Sequence, residues 1–212
     1  MDISNKLEKY VCDIRACRIC VDRPVKTPLP HKPRPVLQVS QTVRIAICGQ
    51  APGTKVHLSG RPFTDASGDR LREWLGVDDV TFYDDKKLAI VPMGFCFPGQ
   101  TAKGADLPPR PECSAHWHAG LFSHLTKLDL ILLVGKYAMA YHLKGHTSLS
   151  EFAKMPLYEV VKNYQSFFSS NSSPLFLPLP HPSWRNNHWL KKNLWFEQEY
   201  LPLLREEVLK RL

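Results

Sequence analysis

The chain has 212 residues, 43% of them hydrophobic, enough to bury one sizeable core, and a single domain over residues 1–212 is the expectation. Lys and Arg outnumber Asp and Glu by 28 to 20, a formal net charge of +8 that favours a polyanionic partner such as nucleic acid or an anionic membrane surface. No apolar run approaches the roughly 18 to 20 residues that span a bilayer, and the opening Met1-Asp2-Ile3-Ser4-Asn5-Lys6 has no apolar leader region; membrane-embedded and secreted classes are thereby set aside for a soluble, cytoplasmic protein.

In chain order, Ile3, Leu7, Tyr10, Val11 and Ile14 recur at three- and four-residue steps, which predicts an amphipathic helix over residues 3–17 that delivers Cys17-x2-Cys20. Residues 23–35 are dense in proline and basic side chains and read as an extended surface connection. Residues 36–40 and 43–48 alternate like strands, and a hairpin through Gln41-Thr42 is expected. The second run stops at Gly49, because Gly and Pro cannot continue a ladder, and gives way to Gly49-Gln50-Ala51-Pro52-Gly53. Such a loop exposes backbone N–H groups and lets a ligand approach its glycines closely. Asp65, Ser67 and Asp69 then precede a helix from Arg70 to Leu75, which Gly76 ends ahead of an Asp-rich linker.

A strand over residues 87–93 leads into Gly94-Phe95-Cys96, then a polar loop over 100–111 and a helix over 112–125. Residues 128–134 form a continuous apolar run, the mark of a strand buried on both faces, with a helix over 137–143 behind it. Residues 148–173 hold a short helix and a Ser/Asn-rich loop at 169–173. A last strand over 175–179 delivers Pro180-His181-Pro182-Ser183-Trp184-Arg185-Asn186-Asn187, and an amphipathic helix over 195–212 closes the chain, with Pro202 expected to break or bend it. Strands alternating with helices predict an α/β fold, a three-layer α/β/α sandwich with a central, mainly parallel sheet. In such sheets ligands bind at the carboxyl ends of strands, where both the Gly49–Gly53 loop and His181 fall.

Six cysteines in a cytoplasmic chain point away from disulfides and towards metal ligation or ordinary burial. Cys17 and Cys20 form one pair, and Cys96 and Cys113 form a second with sixteen residues between them. Four thiolates of this kind suit a [4Fe–4S] cluster or a tetrahedral zinc. Cys48, inside a strand, and Cys12, on the first helix, are expected to be bystanders.

Gly49-Gln-Ala-Pro-Gly53, with Gly60-Arg-Pro-Phe63 and Asp65-Ala-Ser-Gly68 behind it, resembles the uracil-DNA glycosylase superfamily, nearest to its iron–sulfur families four and five. His181-Pro-Ser183, followed by Arg185-Asn186, is similar to the motif those families carry after their last strand. Two departures stand out: Gln50 replaces the glutamate of family four, and Pro92 falls where that family has an asparagine that reads the base. The resemblance implies a DNA glycosylase of base-excision repair, hydrolysing the N-glycosidic bond of deaminated bases, uracil first, with hypoxanthine or xanthine also in view. It also implies a [4Fe–4S] cluster on Cys17, Cys20, Cys96 and Cys113 in preference to zinc.

The roles implied are residue-specific. Asp65 orients water or balances charge on the sugar, with Asp69 as the competing carboxylate, and His181 hydrogen-bonds the base oxygen that gains charge. Gly49, Gln50, Ala51, Pro52 and Gly53 line the pocket together with Ser67, and Phe63 stacks on the extruded base, a contact of about 1 to 3 kcal/mol. Ser183 holds a phosphate, Arg185 or Trp184 wedges into the vacated stack, and Asn186 contacts substrate. The partner is DNA carrying deaminated bases, met by a monomer. The rival readings are a non-hydrolytic lesion binder of the same fold, suggested by the neutral Gln50-Ala51, and a metal-cluster protein for some unrelated nucleotide. Covalent uracil trapping is disfavoured, since the loop over 100–106 has no histidine.

Overall fold

The computed structural model describes residues 3–212, with side chains from Lys6 onward. Met1 and Asp2 of the leader reading, and the side chain of Ile3, lie outside the described residues. The first helix, α1 (Ile3–Arg15), buries Leu7 and Ile14 and is followed by the single turn α2 (Ile19–Asp22). Next come β1 (Ile45–Cys48), α3 (Thr54–Ser59), α4 (Ala66–Leu75), α5 (Asp79–Phe82) and β2 (Leu88–Ile90). The second half runs through α6 (Pro111–His124), β3 (Leu130–Val134), α7 (Lys136–His142), α8 (Leu157–Lys162), α9 (Tyr164–Phe168), β4 (Leu175–Leu179), α10 (Asn187–Lys192) and α11 (Leu201–Leu209).

The four strands form one sheet in the order β2-β1-β3-β4, all parallel. Every residue of β1, β2 and β3 is buried, the pattern of strands covered by helices on both faces, and the fold is a three-layer α/β/α arrangement. β1 leads outward to β2 on one side, while β3 and β4 lie on the other. The switch point of the sheet is therefore at the carboxyl ends of β1 and β3, where open α/β sheets bind ligands. Proline within β4 is tolerated at position 178 because β4 is an edge strand.

Three expectations are corrected. Residues 36–40 make no hairpin with β1: Gln38 forms an antiparallel bridge with Ile90 of β2, and its side-chain amide donates to the carbonyls of Phe82 and Leu88 at 3.0 and 2.8 Å. A two-residue hairpin turn needs positive φ, which Gln41-Thr42 suits poorly, so the segment instead covers the free edge of β2. The Asp-rich linker contains a helical turn, α5, capped by Asp78 through the Thr81 N–H at 2.8 Å. Pro202 does not break the last helix; a π-helical turn over Phe196–Tyr200 runs into α11, with Pro202 in its first turn. Proline has no N–H to donate four residues back, and the wider turn accommodates that loss.

α1 meets α6 closely. The Tyr10 hydroxyl donates to the Trp117 carbonyl at 3.1 Å, and a Cβ on Gly120 would fall 2.1 Å from that hydroxyl, so glycine is what admits the tyrosine. This contact brings the Cys17-x2-Cys20 segment to the side of the sheet where β2 ends.

Candidate active site

The strand β1 releases the chain at Gly49, and the next residues are fixed by backbone bonds to the segment leaving β2. Met93 N–H donates to Gly49 O at 2.9 Å and Gly94 N–H to Gln50 O at 3.0 Å. With those carbonyls tied back, the loop from Gly49 to Gly53 turns along one wall of a cavity of about 80 Å³. Phe63, Asp65, Ser67, Asp106 and His181 line the same cavity, so residues from both halves of the chain converge on it. The Phe63 ring lies beside Gly49, 3.4 Å from where a Cβ on that residue would stand.

Asp65 is the N-cap of α4. Its Oδ1 accepts from Gly68 N–H at 3.3 Å and from Ser67 Oγ at 2.6 Å, which holds the carboxylate at the cavity wall. Of the two carboxylates, Asp65 is the one that caps the helix. Asp69 lies one turn further on, pairs with Arg72 at 2.5 Å and does not line the cavity.

His181 follows β4 and is partly buried. Burial lowers its pKa from the ordinary histidine value, outweighing the charges of Asp65 and Asp106, which pull it up, while Arg185 adds to the lowering. At neutral pH the ring is therefore neutral and carries one N–H. The loop that carries it is braced: Asn186 Nδ2 donates to His181 O at 2.6 Å, Tyr158 hydroxyl donates to Asn186 Oδ1 at 2.8 Å, and Arg70 donates to Ser183 O at 3.2 Å. The Asn186 amide is occupied at both ends by the protein, and its place is behind the histidine. Ser183 and Arg185 are outside the cavity lining, on the same loop beside Trp184, whose side chain is 74% exposed.

Sequence reasoning missed Asp106. It reaches the cavity because residues 100–106 fold back on themselves, with an antiparallel bridge from Gln100 to Asp106 and Gln100 Nε2 donating to Asp106 Oδ1 at 3.0 Å. Its Oδ2 would lie 3.4 Å from a Cβ on Gly53, which puts the second carboxylate against the glycine loop. The available signal was its place in the loop leaving a parallel strand's carboxyl end. Val36, Val56, Pro62, Ile90 and Pro92 complete the apolar lining.

The four cysteines of the two pairs also converge. Cys17, Cys20, Cys96 and Cys113 line one narrow cavity between α2, the segment after β2 and α6, closed by Ile14, Leu29 and Trp117. Burial pushes the Cys20 thiol up to about 12 and the Cys96 thiol up to about 11. Two sulfurs receive N–H donors, Cys17 from the Trp117 indole at 3.2 Å and Cys113 from the Phe95 amide at 3.3 Å. Among the described residues no group of three or more His, Cys, Asp or Glu side chains is placed so as to hold a metal ion. Cys12 is exposed and Cys48 is buried within β1, and neither lines this cavity. No helix of the described residues is long and apolar enough to cross a membrane. Compared with known families, residues 37–205, most of the chain, match the uracil DNA glycosylase superfamily.

Proposed function

We propose that this chain, which belongs to the uracil DNA glycosylase superfamily, hydrolyses the N-glycosidic bond of a deaminated base in DNA, with uracil as the first substrate and hypoxanthine or xanthine next in line. Membership carries a glycosylase-type activity in DNA repair; the base and the residue roles are our reading. The observation that carries it is the convergence of Asp65, His181 and Phe63 on one cavity at the switch point of the sheet.

The scissile bond breaks through an oxocarbenium-like state, so positive charge on the sugar and negative charge on the leaving base both need stabilising. Asp65, fixed by its own cap bonds, supplies negative charge without reorganisation. Neutral His181 donates a hydrogen bond to the base oxygen as that oxygen gains charge. Phe63 stacks on the extruded base, Ser67 and the Gly49–Gly53 loop close the pocket around it, and Ser183 and Arg185 meet the backbone at the rim, where exposed Trp184 fills the vacated stack. Asn186 acts indirectly, by holding the His181 loop. The protein works on DNA in the cytoplasm as a monomer.

Cys17, Cys20, Cys96 and Cys113 fit a [4Fe–4S] cluster in donor chemistry: four thiols face one pocket, and two already accept N–H bonds of the kind that tune cluster sulfur ligands. A lone zinc would need all four sulfurs within about 2.3 Å of one point, whereas a cluster takes each thiolate on a separate iron. Bound there, a cluster would fasten α2 to α6 and to the segment leaving β2. The reaction is left to the other cavity.

A second reading, a lesion binder without turnover, is favoured by one observation: Gln50 is uncharged, and its amide lies 3.5 Å from the Leu107 carbonyl. Purified protein incubated with oligonucleotides carrying uracil, hypoxanthine or xanthine separates the two. Release of free base is expected, and tight binding with intact glycosidic bonds would support the binder instead.

A further inference from the structure

Phe63 has φ +52°, a left-handed backbone conformation that an aromatic residue rarely adopts. Its carbonyl explains how that conformation is held. The oxygen accepts from the Tyr83 hydroxyl at 3.1 Å and from Arg72 Nη1 at 3.3 Å, and those two donors are themselves 3.3 Å apart. A Cβ on Gly68 would fall 1.8 Å from the same oxygen, so the carbonyl is pressed into the first turn of α4 at a point that glycine leaves open.

The donors are fixed in their turn. The Arg72 side chain is 10% exposed and is gripped by Asp69 at 2.5 Å and by Asp79 at 2.6 Å, on α4 and α5 respectively. The Arg61 guanidinium lies over the Tyr83 ring, 3.4 Å from its centre. A buried guanidinium already neutralised by two carboxylates has no electrostatic need of a carbonyl. Spending one of its fork of donors on Phe63 is a geometric matter. The ring of Phe63 lies beside Gly49 and meets the Phe82 ring at a near-perpendicular 83°, with ring centres 6.0 Å apart. Releasing the carbonyl to negative φ would swing the Cα–Cβ bond and take the ring off the cavity wall.

We infer that Arg72 and Tyr83 are positioning residues that lock Phe63 in its left-handed conformation, so that base capture depends on two side chains that never touch the base. The inference rests on the reading of Phe63 as the stacking residue. Tyr83→Phe tests it with least disturbance, since it removes one hydroxyl and keeps the ring under Arg61; Arg72→Lys keeps the charge between Asp69 and Asp79 but loses the planar fork. Single-turnover excision from a uracil oligonucleotide, run over enzyme concentration, gives the half-saturating concentration and the limiting rate, with a melting curve for each variant.

The expected result is a half-saturating concentration raised about fivefold in each variant with the limiting rate within twofold. Tyr83→Phe should add nothing further in a Phe63→Ala background. An effect of Phe63→Ala without one of Tyr83→Phe and Arg72→Lys, or effects of these two that persist in the Phe63→Ala background, would overturn the inference alone. An unchanged half-saturating concentration in Phe63→Ala would overturn the stacking reading, and the inference with it.

Discussion

Asp65 performs two tasks with one carboxylate, and the two can be separated. As N-cap of α4 it accepts the Gly68 N–H, while as a wall of the cavity it presents charge. Asparagine caps about as well as aspartate, whereas alanine forfeits about 1 kcal/mol. Urea unfolding should therefore find Asp65→Asn as stable as the parent and Asp65→Ala weaker by about that amount; equal stability for all three would deny the cap. Two histidines away from the site, His118 fully buried and His142 half-buried, make a second prediction. Burial lowers the pKa of His118 to about 4 and that of His142 to about 3, with the neighbouring His118 adding to the latter. Between the unfolded histidine value of about 6.5 and those folded values the unfolded chain binds more protons, so stability is present above that window and falls with pH through it. The Nε2 of His142 has no partner to lose, and Phe122 and Phe176 lie beside its ring. His142→Phe should flatten the decline between about pH 6 and pH 4 in denaturation midpoints, and an unchanged acid limb would contradict the assignment.

Among the elements, the segment carrying Cys17 and Cys20 is the one whose position depends most on the proposed cluster. α2 is one turn long and leads into a proline-rich connection held partly by Arg110, which donates to the carbonyls of Thr27 and Pro28. Protein purified without oxygen should be brown and carry iron. Cys17→Ala should lose the metal together with much of the stability, since site formation contributes folding free energy; a zinc-loaded, iron-free protein would refute the cluster. The elements whose ends flank the cavity are also the most legible from sequence. β4 is readable to the residue because a five-residue run, buried at four positions, ends in Pro-His-Pro, and β1 because an apolar run meets glycine. The misreadings arose where partners are distant in the chain. Gln38 pairs with Ile90 rather than with its neighbours, and no local pattern records that. Asp106 sits on a loop whose polar composition looks like any solvated turn, and only the fold aims it at Gly53. The contact between Tyr158 and the Asn186 amide, 28 residues apart in the chain, is likewise invisible to any local pattern.

At the scale of the whole molecule, the order β2-β1-β3-β4 places the ends of β1 and β4 on one side of the sheet, and so brings a carboxylate from the first half opposite a histidine from the second. The net charge of +8 belongs at this scale too. If several Lys and Arg meet phosphates, binding to an oligonucleotide should weaken steeply with salt, with a log–log slope of several units; a flat dependence would argue against a DNA partner. The most direct test of the site is single-turnover excision of uracil at saturating enzyme by the parent, Asp65→Asn and His181→Ala. Both residues are assigned work in the transition state, so each variant should slow excision by about a hundredfold or more, on the order of 3 kcal/mol, while affinity for the oligonucleotide changes little. Rates within a few-fold of the parent for both variants would contradict the placement of the chemistry at this cavity.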